Sequence, residues 1–187
     1  MEEVILLAPE IITDRLILSR LSVADTEDLF AYRSLPEVCR YQSWAPTTLQ
    51  DAADFIESLA STEFDTPGTW FQLGVRFRGS GDLIGDLGVH FMEDGKQVEI
   101  GFTLAPALQR QGLATEAVVG LLDHLFGALG KHRVTASIDP RNTASVGLAN
   151  RVGMRQEAHF VQSLWFNGRW VDDLLFAVLA SEWNRRH

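Results

Sequence analysis

Residues Leu104 to Leu129 read LAPALQRQGLATEAVVGLLDHLFGAL, an extended run that passes through a glycine turn into a helix. Within it Leu113, Ala117, Val118, Leu121, Leu122, Leu125, Phe126 and Leu129 recur at steps of three and four. One side of the helix is therefore apolar and must pack on a sheet. The first turn, Gly112 to Thr115, then carries N–H groups without intrahelical partners, aimed back at the end of the preceding strand. Such amides, together with the helix dipole, favour an anion. Gly112 removes the Cβ that would block a close approach, Ala114 keeps the next position small, Thr115 adds a hydroxyl and Arg110 a positive charge. QRQGLA thus has the form Q/R-x-x-G-x-G/A, with Gln109, Gly112 and Ala114 at the specified places. A pattern this short fits a phosphate cradle and an ordinary loop-to-helix turn alike.

Two common phosphate binders are excluded. A P-loop ends in Gly-Lys-Ser/Thr, whereas Gly112 is followed by Leu113 and Ala114. A dinucleotide fingerprint needs three spaced glycines in an early strand–helix–strand unit, and here a run of strands comes first.

Outward from this stretch, the segment Ile11 to Leu21 alternates like a half-buried strand, and a short helix follows over Asp25 to Arg33. A shaped loop with Pro36, Tyr41, Trp44 and Pro46 leads to a second helix, Leu49 to Phe64, entered through Thr47 or Thr48 as N-cap. TWFQLGVRFR, DLIGDLGVHFME and QVEIGFTLA then form an antiparallel meander, with GSGD and EDGK as turn signals. After the quoted helix come a strand over His132 to Ile138, a helix over Thr143 to Val152, and two strands around FVQSLWF and VDDLLFAVL joined by NGR. The expected class is α/β (α+β), a mixed and mostly antiparallel sheet of about seven strands with four helices. No repeat or linker divides residues 1–187, so one domain is expected.

The bulk properties bound the function. A chain of 187 residues, 46% apolar, has enough material for one well-cored unit. Its formal charge of −9 argues against a nucleic-acid binder, because that affinity rests on clustered Lys and Arg. A cationic substrate suits it better, although an acidic balance also serves solubility. The single cysteine, Cys39, forbids an intrachain disulfide and a paired-cysteine zinc site, so no metal is expected and a reducing cytoplasm is the natural home. The opening MEEVILLAPEI has acidic residues where an export signal needs basic ones, and its apolar run is too short to span a membrane.

In order and spacing, TDRLILSRL, PEVCRYQSW, LIGDLGVHF, VEIGFTL, QRQGLATEAV, NTASVGLANRVGM and DDLLFAVLASEW resemble the GNAT superfamily of acyl-CoA-dependent N-acetyltransferases, in its ribosomal-protein-alanine N-acetyltransferase-like (Rim-type) branch. The resemblance runs along nearly the whole chain. It implies a GNAT fold in which two parallel strands splay apart and acetyl-CoA, the co-substrate, lies in the cleft. Its pantetheine arm would pair with the backbone of Phe102, Thr103 and Leu104. Its pyrophosphate would rest on the amides of Arg110, Gln111, Gly112, Leu113, Ala114 and Thr115, beside Gln109. Asn142 matches the family's pantetheine-binding Asn, and Ser145 follows it by one helical turn, facing the sulfur. Related enzymes are often homodimers.

Acetyl transfer needs a neutral amine, donors for the developing negative charge, and routes for protons. Glu99 is the candidate base, near where other members of the family carry a catalytic Glu, and the same position suits holding an acceptor ammonium or bracing the sheet. Many members place an acidic Tyr on the helix after the pantetheine Asn; here that position is Asn150. Ser145 stands in for it in the Rim-type branch, and also suits simple bonding to backbone or cofactor. Tyr41 and Trp44 are candidate walls of the acceptor pocket, because the family lays this loop over the acceptor. His90 is a candidate acceptor contact or proton relay, with a structural role as the blander reading. The other tryptophans, Trp70 among them, read as core or sheet cover. Asp172 and Asp173 read as a solvated hairpin turn, with pocket acidity as the alternative. Cys39 has no activating His nearby in sequence, and direct transfer is the family norm. The acceptor is an amine, either a protein N-terminus or a small amine such as a polyamine. A non-catalytic acyl-CoA sensor would use the same cleft.

Overall fold

The structure is a computed structural model, which describes residues 9–185. The apolar run of MEEVILLA lies outside the described residues. A two-residue strand β1 (Ile11–Ile12) turns back into β2 (Leu16–Arg20). The alternation of Ile11 to Leu21 concealed this hairpin, which closes through Thr13: its N–H donates to the Leu16 carbonyl at 2.9 Å, and its hydroxyl accepts from the Leu16 N–H at 3.1 Å. A 3-10 turn, Val23–Asp25, leads into α1 (Thr26–Arg33), followed by α2 (Pro36–Cys39) and α3 (Leu49–Ser58). Then come β3 (Thr69–Phe77), β4 (Leu83–Phe91) and β5 (Gln97–Leu104), the expected antiparallel meander. The quoted helix is α4 (Leu113–Asp123), ending in a π-turn, His124–Ala128. It is succeeded by β6 (Arg133–Ile138), α5 (Thr143–Arg151), β7 (Arg155–Phe166), β8 (Arg169–Leu179) and α6 (Ala180–Trp183).

The described strands form one eight-stranded sheet in the order β1-β2-β3-β4-β5-β6-β8-β7, where only β5 and β6 are parallel. Eight strands and six α-helices thus replace the expected seven and four. The additions are the β1 hairpin strand and the four-residue α2 and α6, all too short for periodicity to reveal. The second helix ends at Ser58 rather than Phe64, because Phe64 leaves it for the core and meets Phe71 and Phe91 edge-on at 5.0 Å.

Alternation along β3, β4 and β5 sends Phe71, Leu73, Val75, Leu87, Val89, Phe91, Val98 and Ile100 into the main core. The apolar stripe of α4 covers them, with Leu113, Ala117, Val118, Leu121 and Leu122 at most 2% exposed. Each such fully buried leucine is worth about 1.5–3 kcal/mol. On the other face a smaller cluster, Leu29, Tyr32, Ala52 and Ile56 against Leu21 and Leu83, seats α1 and α3. Arg76 on β3 grips Asp25, at the entry to α1, with two nitrogens at 2.5 and 2.6 Å. Burial works to raise the Asp25 carboxyl, but the Arg76 guanidinium prevails and holds it below its ordinary value.

Candidate active site

The parallel pair β5 and β6 holds together only at its start, where Gln97, Val98 and Glu99 face Arg133, Val134 and Thr135. From there β5 stays with β4, pairing Ile100 to Leu104 with Val89 to Gly85, while β6 stays with β8 from Ala136 to Ile138. The strands diverge and the sheet opens. A cavity of about 690 Å3 lies on the α4 and α5 side of the opening, and one of about 480 Å3 on the other side. Tyr41, Gln42, Phe102, Thr103, Asn142 and Ser145 line both. The two cavities therefore meet through the split.

The α4-side cavity is built on backbone. Gly112 adopts φ +77° and Arg110 +63°, left-handed conformations that bend the chain into the helix start. The first intrahelical bond runs from the Glu116 N–H to the Gly112 carbonyl at 3.0 Å. The N–H groups of Leu113, Ala114 and Thr115 consequently stand outside the helix ladder. Glu116 anchors this end: it accepts from Thr13 Oγ1 at 2.6 Å, from the Arg15 N–H at 2.7 Å and from Arg15 Nε at 2.6 Å. Gln109 Nε2 donates to the Leu104 carbonyl at 3.2 Å, tying the loop to the end of β5.

Not every expected cradle residue turns inward. Gln111 offers its carbonyl to Arg15 and its side-chain amide to the Ala107 carbonyl, and the Leu113 side chain lies in the core. Arg40 and Arg151, which sequence reasoning missed, line the cavity instead, and Arg151 Nη1 donates to Thr115 Oγ1 at 3.3 Å. Only the fold brings these cations beside Arg110. The structure fits a long ligand with an anionic end, since open strand edge leads to free amides and cations. Thr103 supports this reading: its buried Oγ1 finds no hydrogen-bond partner among the described residues. Asn142 caps α5 by accepting from the Ser145 N–H at 3.2 Å, which leaves its own amide N–H groups as donors.

The opposite cavity is built of side chains. Trp44 stacks on Phe55 of α3 at 4.2 Å, and the Arg33 guanidinium sits 6.0 Å over its ring. Arg33 pairs with the fully buried Asp86 and also donates to Gln42 Oε1 at 3.0 Å. Tyr32 Oη donates to Asp86 Oδ1 at 2.6 Å, and Gln72 Nε2 donates to Oδ2. Burial by itself would lower the Arg33 pKa, but Asp86 beside it raises it; burial and then Asp86 push the Tyr32 phenol well up. This network fixes the loop that carries Tyr41 and Trp44, and Tyr41 Oη adds a bond to the Arg141 carbonyl at 3.2 Å.

Glu99 faces this cavity half-buried, and its carboxyl is raised above the ordinary value, chiefly by burial, with Asp173 adding and His90 opposing. His90, its cross-strand neighbour, does not line the cavity; it stacks on Trp70 at 4.8 Å with planes 8° apart. Two readings need correction. Trp70 is no core or cover residue: it is half-exposed on the cavity wall. Asp173 is not a solvated turn residue, because β8 carries it inward, 8% exposed, to accept from Ser137 Oγ at 2.6 Å. Asp172, one residue earlier and also in the cavity lining, bonds the Gln162 N–H at 2.9 Å and His159 Nε2 at 2.7 Å. Cys39 sits in α2, its thiol donating to the Arg33 carbonyl at 3.0 Å. No described helix is long and apolar enough to cross a membrane.

A sequence profile of the acetyltransferase (GNAT) domain matches residues 15–155. The uncharacterized N-acetyltransferase YoaA of Bacillus subtilis is 30% identical, over 91% of this chain and 97% of its own. The [ribosomal protein uS5]-alanine N-acetyltransferase of Escherichia coli is 25% identical over 65% of this chain and 63% of its own. Among solved structures, a GNAT-family acetyltransferase from Bacillus anthracis superposes with a TM-score of 0.85 at 25% identity, over 93% of this chain and all of the other. The chain belongs to the GNAT family of acetyltransferases.

Proposed function

We propose that this enzyme moves the acetyl group of acetyl-CoA to a primary amine by direct attack, with cofactor and acceptor bound together. The observation that carries this reading is the meeting of two differently built cavities at one split in the sheet. A cofactor entering under α4 and an amine entering from the other face would touch only there. The residues suited to the cofactor are Phe102 to Leu104 along the open edge, Asn142 at the start of α5, and the amides of Leu113 to Thr115 with Arg110 and Arg151 at the anionic end.

Bound acetyl-CoA supplies an acyl group activated as a thioester. Glu99 removes a proton from the incoming ammonium, directly or through one water, so that the nitrogen lone pair is free. Its raised pKa suits it to hold that proton near neutral pH better than an exposed carboxylate would. The nitrogen forms the new N–C bond, the C–S bond breaks, and the electron pair leaves on sulfur. The thiol product is weakly acidic, so the sulfur needs little help in departing; the second proton lost by the acylated nitrogen ends on sulfur, and Ser145, which lines both cavities, is a hydroxyl placed to relay it. Free N–H groups of β5 beyond Glu99 meet the charge that develops on the carbonyl oxygen.

Initial-rate kinetics with both substrates varied test this directly. Intersecting double-reciprocal lines are expected for a ternary complex. Parallel lines would mean a covalent acetyl-enzyme and would overturn direct attack.

A further inference from the structure

The acceptor cavity carries more negative charge than acetyl transfer requires. Glu99, Asp139, Asp172 and Asp173 all line it. Asp139 is matched by Arg141, Asp172 is hydrogen-bonded to the Gln162 N–H and His159, and the one guanidinium on that wall, Arg33, is matched by Asp86. Among the described residues, neither Glu99 nor Asp173 forms an ion pair. Ser137 gives Asp173 a neutral hydroxyl, and His90 lies flat on Trp70 rather than on Glu99. A cation placed between a half-buried and a buried carboxylate is attracted by both. A transfer base accounts for one. The second is surplus to the chemistry.

The floor between them is shaped for something slender. Gly101 lies on the same face of β5 as Glu99 and Thr103, and a Cβ built on it would meet nothing within 4 Å. Its partner across the ladder is Gly88, where a Cβ would come within 3.2 Å of the Trp70 ring. A glycine inside a strand costs about 0.5–1 kcal/mol relative to alanine and commonly marks the close approach of a ligand. The Trp70 and Trp44 rings flank this floor, and aromatic faces attract ammonium groups. The next residue on the same face is Thr103, 8% exposed, whose hydroxyl is the partnerless buried group of the cleft.

We infer that the acceptor is an unbranched aliphatic amine bearing a second positive charge, a diamine or longer polyamine. It lies along Gly101, with its reacting amine at Glu99 and its other ammonium at Asp173. The inference rests on the acetyl-transfer reading above and narrows its acceptor. An α-amine at a protein terminus brings one charge and a branched carbon, which leaves Asp173 without a counter-charge.

The test measures CoA release by the wild-type enzyme with diaminobutane, with butylamine, and with an alanine-initiated tripeptide, alongside calorimetric titration of acetyl-CoA. A kcat/KM for diaminobutane at least tenfold above butylamine is expected. Asp173→Asn, which keeps an acceptor for Ser137, should remove that advantage, chiefly through KM. Gly101→Val should cut kcat/KM for diaminobutane at least tenfold without the loss of a buried group, guarding against a folding effect at Asp173. Equal use of the two amines, a preference for the tripeptide, or an advantage that survives in Asp173→Asn would each overturn the inference. If acetyl-CoA binds and only the tripeptide turns over, the acetyl-transfer reading stands without it. If acetyl-CoA does not bind, that reading fails first and this one with it.

Discussion

The cavity under α4 draws most of its lining, including the free amides of the helix start, from two short stretches, Phe102 to Ala117 and Arg141 to Arg151, with the Glu37 to Gln42 segment against them. The cavity on the other face is walled by residues from α1, α3, the Tyr41–Trp44 loop and six strands. They share a seam and little else. A backbone site depends on a few conformations, such as φ +77° at Gly112, that one local sequence can specify. A side-chain site depends on packing between segments far apart in the chain, and is only as good as the contacts that hold them. The two halves should therefore fail in different ways when perturbed.

The largest effect is expected at Asp86, buried beneath the acceptor cavity. Asp86→Asn would leave the Arg33 guanidinium buried without its counter-charge, a loss that costs about 3–5 kcal/mol. For a chain of this size the melting temperature should fall by roughly 10 °C. Acceptor KM should rise with it, because Arg33 positions Gln42 and underlies Trp44. Acetyl-CoA affinity of the folded fraction should change little; a loss on both sides would show that the cavities are one packing unit.

Glu99→Gln tests the seam itself. A general base contributes on the order of 100-fold or more to the rate, and kcat should fall by about that factor. The sign of the pH dependence follows from the raised carboxyl: Glu99 is protonated and idle below its elevated pKa, and becomes competent as pH rises through it. The wild-type rate should climb across that interval, above the ordinary carboxylate range, and the variant should lack this limb. An unchanged profile would remove Glu99 from the proton path.

What the sequence made legible follows the same division. The glycine turn and the α4 stripe are local in sequence, so periodicity and a six-residue motif exposed them, whereas the splay, between strands about thirty residues apart, came only with the family resemblance. Trp70 and Asp173 were misassigned because each sits in a strand whose neighbours read as cover or turn. Only the pairing order, which puts β8 beside β6, brings Asp173 inward against Ser137. Arg151 carried no signal at all, since its value lies in α5 packing beside α4. The β1 hairpin was hidden because Thr13 closes it with bonds that leave the apolar alternation intact.

Gly112→Val perturbs the cofactor half alone. A β-branched residue at φ +77° is strained by about 1–3 kcal/mol, and its methyls would crowd the amides of the helix start. Acetyl-CoA should bind at least tenfold more weakly in calorimetry. Acceptor KM, measured at saturating acetyl-CoA, should stay within about twofold, and an equal rise in both constants would break the distinction.

Thr48→Ala makes the smallest and most selective change, on the acceptor half. Thr48 Oγ1 caps α3 by accepting from the Asp51 N–H at 3.1 Å. Asp51 in turn bonds the Thr47 hydroxyl and the Thr47 and Thr48 N–H groups, which hold its carboxyl down to about 2. Loss of such a cap costs typically about 1 kcal/mol, expressed as fraying of the first turn. That turn leads to Phe55, which supports Trp44 at 4.2 Å. A twofold to fivefold rise in acceptor KM, with kcat and acetyl-CoA affinity unmoved, is what a wall held only by packing should give. No change in acceptor KM would mean that Trp44 takes its position from Arg33 alone, and that α3 is a bystander to the pocket it borders.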